Sequence, residues 1–255
     1  MRISVYTSGR YPNRILSDMS EIRDMIRKYK YTTELHAHTS PVSKCSHVTA
    51  EDVVRTYAEN GCNALTITNH LTPAWLDGNP ADRAAEYLAD YEKAYDEGKK
   101  CGVNVILGME IRFTENQNDY LVYGIEPGDI EKAIFYLDKG VQEFYRGFKT
   151  DKNLILQAHP FRDKMVLAPL DSLDGIEIFN LHPGHNSRVA IAARYAREND
   201  LTVSGGTDFH DPGNEALCLM RSSSLPENSY DVAEILKSRD FLFDIAGNIV
   251  IPVCL

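Results

Sequence analysis

The sequence predicts an α/β fold whose strands run largely parallel and finish on one rim. Three observations carry that prediction. Short apolar runs of strand character alternate with helical patterns along the chain. Seven of the eight histidines stand at or just beyond the ends of such runs. The length of 255 residues, with 43% apolar residues, suits one α/β barrel or one large α/β domain.

Residues 1–30 read as a short strand followed by a helix over about 17–30, an extension packed outside the main body. A strand then ends at His36-Ala37-His38, and a loop spans 39–48. Thr49 is the expected N-cap of the next helix, with an acidic first turn in Glu51 and Asp52, and Gly61 closes it. The second strand ends at Asn69-His70. A loop over 71–80 leads to a helix over about 81–100 that Gly102 ends. The third strand, 104–113, carries Glu110, and 119–124 reads as its hairpin partner. Two helical patterns occupy about 129–149. The fourth main strand, 153–159, is stopped by Pro160; 175–180 is another. A helix over about 185–199 precedes the strand 201–206, which enters Thr207-Asp208-Phe209-His210. A variable stretch, a helix near 230–238 and strands near Phe241 and Ile249 complete about seven strand–helix passes. No linker or repeat interrupts them, so 1–255 is expected to be one domain.

Composition excludes several classes. A net charge of −10 and a pI of about 5.3 argue against long nucleic acid as a partner. No window approaches the roughly 20 apolar residues of a membrane span. The N-terminus lacks a signal-like apolar stretch. Five cysteines, at 45, 62, 101, 218 and 254, are scattered and form no CxxC pair, which suits reduced thiols in a cytoplasmic protein. The pattern does not reveal an oligomeric state.

The chemistry lies at the strand ends. His36 and His38 are i and i+2 on a strand, so both imidazoles face the same side and are able to share a cation. His70 ends the next strand as either a satisfied core residue or a ligand. Glu110 sits in Val105-Ile106-Leu107-Gly108-Met109-Glu110-Ile111; a carboxylate there needs a cation or a salt bridge to Arg112. His159-Pro160-Phe161-Arg162 ends another strand, and Arg162 has the fork geometry that suits a phosphate. Asp208 and His210 repeat the i, i+2 geometry, with Gly205-Gly206 before them for close backbone approach. Neither a P-loop nor a nucleophile elbow is present.

The ordered set His36-x-His38, Thr68-Asn69-His70, Gly108-x-Glu110, His159-Pro160, 175–180 and Gly206-Thr207-Asp208-x-His210 resembles the PHP (polymerase and histidinol phosphatase) superfamily over about 34–211, in its stand-alone metal-dependent phosphoesterase form. The resemblance implies a distorted (βα)7 TIM-like barrel of PHP type with two or three divalent ions (Zn, Mn or Fe) at the strand ends. It implies His36, His38, Glu110 and Asp208 at a first ion. A second shares Glu110 and takes His159 and a ligand after Ile178, where Asn180, His182 and His185 stand. A third takes His70 and His210 with a ligand from the loop after His38, where Cys45 and His47 stand. The expected chemistry is hydrolysis of a small phosphorylated substrate by a metal-bridging hydroxide. Arg162, Arg112 or Arg188 would neutralise the phosphate, and Asp208 or His210 would handle protons. The rivals are an amidohydrolase-like hydrolase, a phosphodiesterase or nuclease, and a non-catalytic metal-binding module. Loops 39–48, 71–80, 112–120 and 181–188 are expected to shape the pocket, with Trp75 and Phe113 each either stacking on substrate or packing in the core.

Overall fold

The computed structural model describes residues 19–252. The strand expected within 1–16 and Cys254 lie outside the described residues. The chain runs α1 (Met19–Lys28), β1 (Tyr31–Ala37), α2 (Ala50–Glu59), β2 (Ala64–Ile67), β3 (His70–Leu71), α3 (Pro80–Cys101), β4 (Asn104–Leu107), β5 (Met109–Arg112) and β6 (Asp119–Tyr123). It continues through α4 (Gly128–Ile134), α5 (Gly140–Phe148), β7 (Leu154–Gln157), β8 (Gly175–Asn180), α6 (Val189–Glu198), β9 (Thr202–Gly206), β10 (Cys218–Ser222), α7 (Ser229–Ser238), β11 (Leu242–Ile245) and β12 (Asn248–Val250).

Local chemistry explains the helix ends. The Thr49 side chain accepts the Asp52 backbone N–H at the start of α2. Asn79 caps α3 in the same way, with Pro80 at its first position, and Gly102 ends it in the left-handed region at φ 73°. In α1, Met25 and Ile26 pack against Leu242 and Ile249, so the N-terminal helix leans on the C-terminal strands.

The strands form two six-stranded sheets, in the orders β12-β11-β10-β1-β2-β4 and β3-β5-β6-β7-β8-β9. Their hydrogen-bonded ladders do not close into one ring, so the TIM-like barrel expected from the resemblance is not seen as a continuous barrel. The break has a cause at Thr68-Asn69 and at Gly108, which interrupt β2/β3 and β4/β5. There side chains take over the ladder's bonds: Thr68 Oγ1 accepts the Ala37 N–H, and Asn69 Oδ1 accepts the Thr39 N–H. Beside the second break, a Cβ on Gly108 would lie 2.9 Å from the methyl groups of Thr66 and Thr68. The sheets still meet at the rim, where Ala37 bridges Phe209 and the Phe209 N–H donates to the His36 carbonyl.

The pairing is mixed. β1-β2-β4, β3-β5 and β7-β8-β9 are parallel, whereas β6 is antiparallel to both β5 and β7. The hairpin partnership of 119–124 with the third strand is therefore present. Sequence reading missed β10. It lies antiparallel to β1 and extends that sheet through β11 and β12. The buried apolar faces of β4–β9 pack on α3–α6, which leaves polar strand ends gathered at one rim.

Candidate metal centre

Each strand delivers its polar residue at the end of an apolar run. β1 brings His36 and, one residue past its end, His38. β3 pairs with β5 so that His70 stands opposite Glu110. His159 follows β7, and Asp208 and His210 follow β9. His159 and Asp208 both hold left-handed backbones, at φ 29° and 52°. A side chain with a Cβ occupies that region only when its surroundings compensate. Both turns aim their side chains into the same cluster.

The atoms converge closely. His36 Nε2 lies 3.1 Å from His38 Nε2 and 3.4 Å from both Glu110 Oε1 and Asp208 Oδ1. His38 Nε2 lies 3.1 Å from Asp208 Oδ1 and 3.3 Å from Glu110 Oε2. His159 Nε2 is 3.2 Å from Glu110 Oε1, and His185 Nδ1 is 3.2 Å from Asp208 Oδ2. His210 lies 3.4 Å from Asp208 Oδ1.

The outer ring nitrogens fix which lone pairs face inward. His36 Nδ1 lies 2.8 Å from Glu177 Oε1, an acceptor, so that nitrogen carries the proton. Ser43 donates its own proton to Asn69 Oδ1, so its oxygen is left to accept from His38 Nδ1 at 3.2 Å. The Nε2 lone pairs of both rings therefore point at each other and at carboxylate oxygens. Such an arrangement repels unless a cation or extra protons sit within it. Glu110 Oε2 and His70 Nδ1 approach to 2.9 Å, yet both are buried without a hydrogen-bond partner. Their separation is that of two ligands, but their angles are not those of a donor and an acceptor.

Charge makes the same case. Glu34, Glu110, Asp119, Glu177 and Asp208 are at most 2% exposed, and among the described residues the one guanidinium or ammonium bonded to any of them is Arg112. Burying that much uncompensated negative charge is costly. Burial pushes His36 down, but Asp208, Glu177 and Glu110 outweigh it and hold the ring well above its ordinary value. Burial likewise lowers His70, and Glu110 reverses the shift. Burial would raise Glu110, but His70 and His36 hold it well below the usual carboxylate range. Asp208 is held low by His36 and His185 against the same burial. His38 is lowered by burial and by its neighbour His70. Without a cation the cluster thus keeps protons on His36 and His70 beside carboxylates held ionised; a divalent ion would take the place of those protons on a donor set of nitrogen and oxygen that suits Zn, Mn or Fe. Three overlapping groups have ligand atoms within 4.8 Å of one another: His36, His38 and Glu110; His38, His70 and His210; and His70, Glu110 and Asp119.

Not every expected residue joins them. His47 turns outward, 74% exposed, and pairs with Asp211 at 2.8 Å. Of the two loop candidates, Cys45 is the one that faces the cluster. Asn180 sits behind it: its amide donates to Glu177 and Asp208, and its carbonyl oxygen lies 3.3 Å from His185 Nδ1. His182 stacks on His185 with centroids 3.9 Å apart and lines the open cleft. Arg188 is turned away and tied to Asp163 and the Phe161 carbonyl, so it does not line the cleft. Arg112 does line it, but two of its nitrogens bind Asp119 at 2.7 Å each; the salt bridge considered for Glu110 goes to Asp119 instead. Arg162 lines the cleft with no side-chain partner among the described residues. Phe113 is core, packed on Tyr120 and Phe144, and does not stack on substrate. Trp75 lines the cleft with Arg83 over its ring.

Three acids escaped sequence reasoning. Glu177, in the apolar run Gly175-Ile176-Glu177-Ile178, carries the same signal that singled out Glu110. Glu34 accepts the His36 and Thr207 N–H groups and the Tyr57 and Thr207 hydroxyls; burial pushes it up to about 7 against those bonds. Asp119, which opens β6, carries no local signal at all.

His70, His159, His185, Asp208 and His210 line a cleft of about 690 Å³, and His36, His38 and Glu110 are fully buried behind them. A profile of the PHP domain family matches residues 34–244. No curated protein matches the chain. Among solved structures, the fold is similar to that of a two-domain protein containing a predicted PHP-like metal-dependent phosphoesterase from Bacteroides vulgatus. The TM-score is 0.56 at 14% identity, covering 84% of this chain and 64% of that one. It is also similar to PsfC from Pseudomonas syringae, with a TM-score of 0.54 at 14% identity over 80% of this chain and 87% of that one. An amidohydrolase from Chromobacterium violaceum, with bound sulfate and no metal, gives 0.50 at 14% identity over 80% and 96%. At such identity these similarities show the fold alone.

Proposed function

This chain belongs to the PHP domain family, and from that premise we propose that it is a metal-dependent phosphoesterase that hydrolyses a small phosphomonoester. The observation that carries the reading is the convergence of inward-facing imidazole lone pairs and ionised carboxylates at an open cleft.

His36, His38, Glu110 and Asp208 would hold one cation. Glu110 and His159, with His185, would hold a second, and His70 and His210 a third. Divalent ions there supply a water of lowered pKa and neutralise charge on the phosphoryl oxygens. The chain's own groups do the rest. Arg162, without a side-chain partner among the described residues, binds a non-bridging phosphate oxygen. Arg112, gripped by Asp119, presents its remaining N–H groups as a fixed second donor. Asp208, held ionised, would accept a proton; His210, with Nδ1 protonated toward the Asp208 carbonyl, orients its Nε2 toward the third cation. The acidic surface and the few cleft cations favour a small substrate over a polymer. The scattered free thiols suit the cytoplasm. The family fold also leads us to read the two sheets as an interrupted (βα)7 barrel, and 1–255 as one domain.

The test is elemental analysis and turnover on one preparation. The purified chain should contain divalent metal and cleave p-nitrophenyl phosphate in preference to carboxyl esters and amides. His36→Ala and Asp208→Ala should each lose metal and at least about 10²-fold in turnover, with the circular dichroism of the folded chain retained. Full activity and metal content in either variant would refute the assignment. Preferred cleavage of amides or esters would instead establish the amidohydrolase-like reading.

A further inference from the structure

The loop after β1 brings a thiol to the cluster. Cys45 Sγ lies 3.1 Å from His210 Nε2. His210 Nδ1 lies 2.9 Å from the Asp208 carbonyl, which only accepts, so Nδ1 carries the proton and Nε2 turns its lone pair to the sulfur. His38, His70 and His210 each offer a nitrogen within 4.8 Å of the others. Their rings are close: centroids lie 4.3 Å apart for His38–His70 and for His38–His210. Glu110 Oε2, fully buried and without a hydrogen-bond partner, lies 2.9 Å from His70 Nδ1 on the inner side of the same group.

We propose that Cys45 is a thiolate ligand that completes, with His70 and His210, a cation site selective for zinc-class ions over manganese and magnesium. The inference rests on the reading of this cluster as a metal centre, and adds to it a soft ligand and a consequence for selectivity. Thiolate binds zinc, cobalt and iron(II) far better than it binds hard ions that prefer oxygen. Zinc–sulfur and zinc–nitrogen bonds of about 2.3 and about 2.0 Å place two tetrahedral ligands roughly 3.5 Å apart. The Cys45–His210 pair therefore needs to open by only a few tenths of an ångström. As the sulfur–cation bond forms, the thiol releases its proton to solvent, and no electron changes hands. The neighbouring His47 does not compete, because its ring faces outward onto Asp211. Cys62 and Cys218 are buried elsewhere and Cys101 lies on α3 beside Glu97, so among the described residues Cys45 is the thiol at the cluster, and loss of the band in Cys45→Ala assigns it.

The experiment is cobalt(II) titration of the metal-stripped full chain, read as the near-ultraviolet sulfur-to-cobalt charge-transfer band, with zinc content measured in parallel. The wild type and His47→Ala should show the band, whereas Cys45→Ala and Cys45→Ser should not. Cys45→Ala should lose one equivalent of zinc. Cys45→Asp should keep the equivalent but lose at least about tenfold of the zinc-over-manganese preference. Absence of the band in the wild type, its persistence in Cys45→Ala, or its loss in His47→Ala would overturn the proposal. Band loss without loss of folding is checked by circular dichroism of each variant, Cys45→Ser serving as the near-isosteric control. A band in a protein without phosphatase activity would sink the proposed function and leave this site standing. An active enzyme with no band would do the reverse.

Discussion

Glu177 holds two ligand-bearing segments with one carboxylate. Oε1 receives the His36 Nδ1 proton at 2.8 Å, while Oε2 accepts the His159 N–H at 2.9 Å and the Asn180 amide at 3.0 Å. It fixes the tautomer of His36 and the turn that carries His159 without itself facing the cleft. Glu177→Gln would set an amide NH2 against existing donors on one side and remove the charge that orients His36. Partners of this kind are worth about 10–100-fold in metal affinity. Competition titration of zinc against a chromophoric chelator should show a loss of that size in Glu177→Gln, with the cation count unchanged at saturation. Wild-type affinity in the variant would mean that His36 needs no such support.

Between elements, one tight constraint bears directly on the cluster: the passage of β9 beside β1. A Cβ on Gly206 would lie 2.5 Å from the His36 Cβ, 2.8 Å from Glu34 Oε1 and 2.9 Å from the His36 backbone nitrogen. No side chain fits there without moving β1 or the Glu34 network that ties β1 to Thr207. Gly206→Ala is expected to cost about 1–3 kcal/mol, as overpacking does. It should also lower metal content, because the displaced atoms belong to His36. Thermal melting and elemental analysis of the same sample check both effects. A stable variant with unchanged metal would show that the strands separate more freely than this packing allows. The breaks at Thr68-Asn69 and Gly108 work in the opposite sense: they end β2 and β4 in one sheet and start β3 and β5 in the other, where His70 and Glu110 pair side by side.

For the whole molecule, the cluster makes stability depend on pH in opposite directions. His36 and His70 are raised above 6.5, so their contribution is complete below that value and is lost as pH rises through their raised values. Glu110 and Asp208 are depressed, so theirs is present above 4.5 and 3.8 respectively and is lost as pH falls through the lowered values. The metal-free chain should therefore be most stable at mildly acidic pH. Cations replace those protons, and binding them stabilises the fold by mass action. The rise in Tm on adding zinc should grow as pH increases from about 6 to about 8. Calorimetric scans with and without zinc across that range test it; a pH-independent shift would mean that the imidazoles exchange no protons with the ion.

Much of this was already written in the chain. Cap residues such as Thr49 and Gly102, the alternation of strands and helices, and the polar residues that end each strand are set by local propensity and by the period of two along a strand. That is why His36, His38, Glu110, His159, Asp208 and His210 were legible as a set. Tertiary structure alone decided that Cys45 and not His47 faces the cluster, that Arg112 is gripped by Asp119 while Arg188 turns away, and that the ladders form two sheets. Those outcomes depend on which loop lies against which strand. They follow from packing between residues far apart in sequence, which no local pattern encodes.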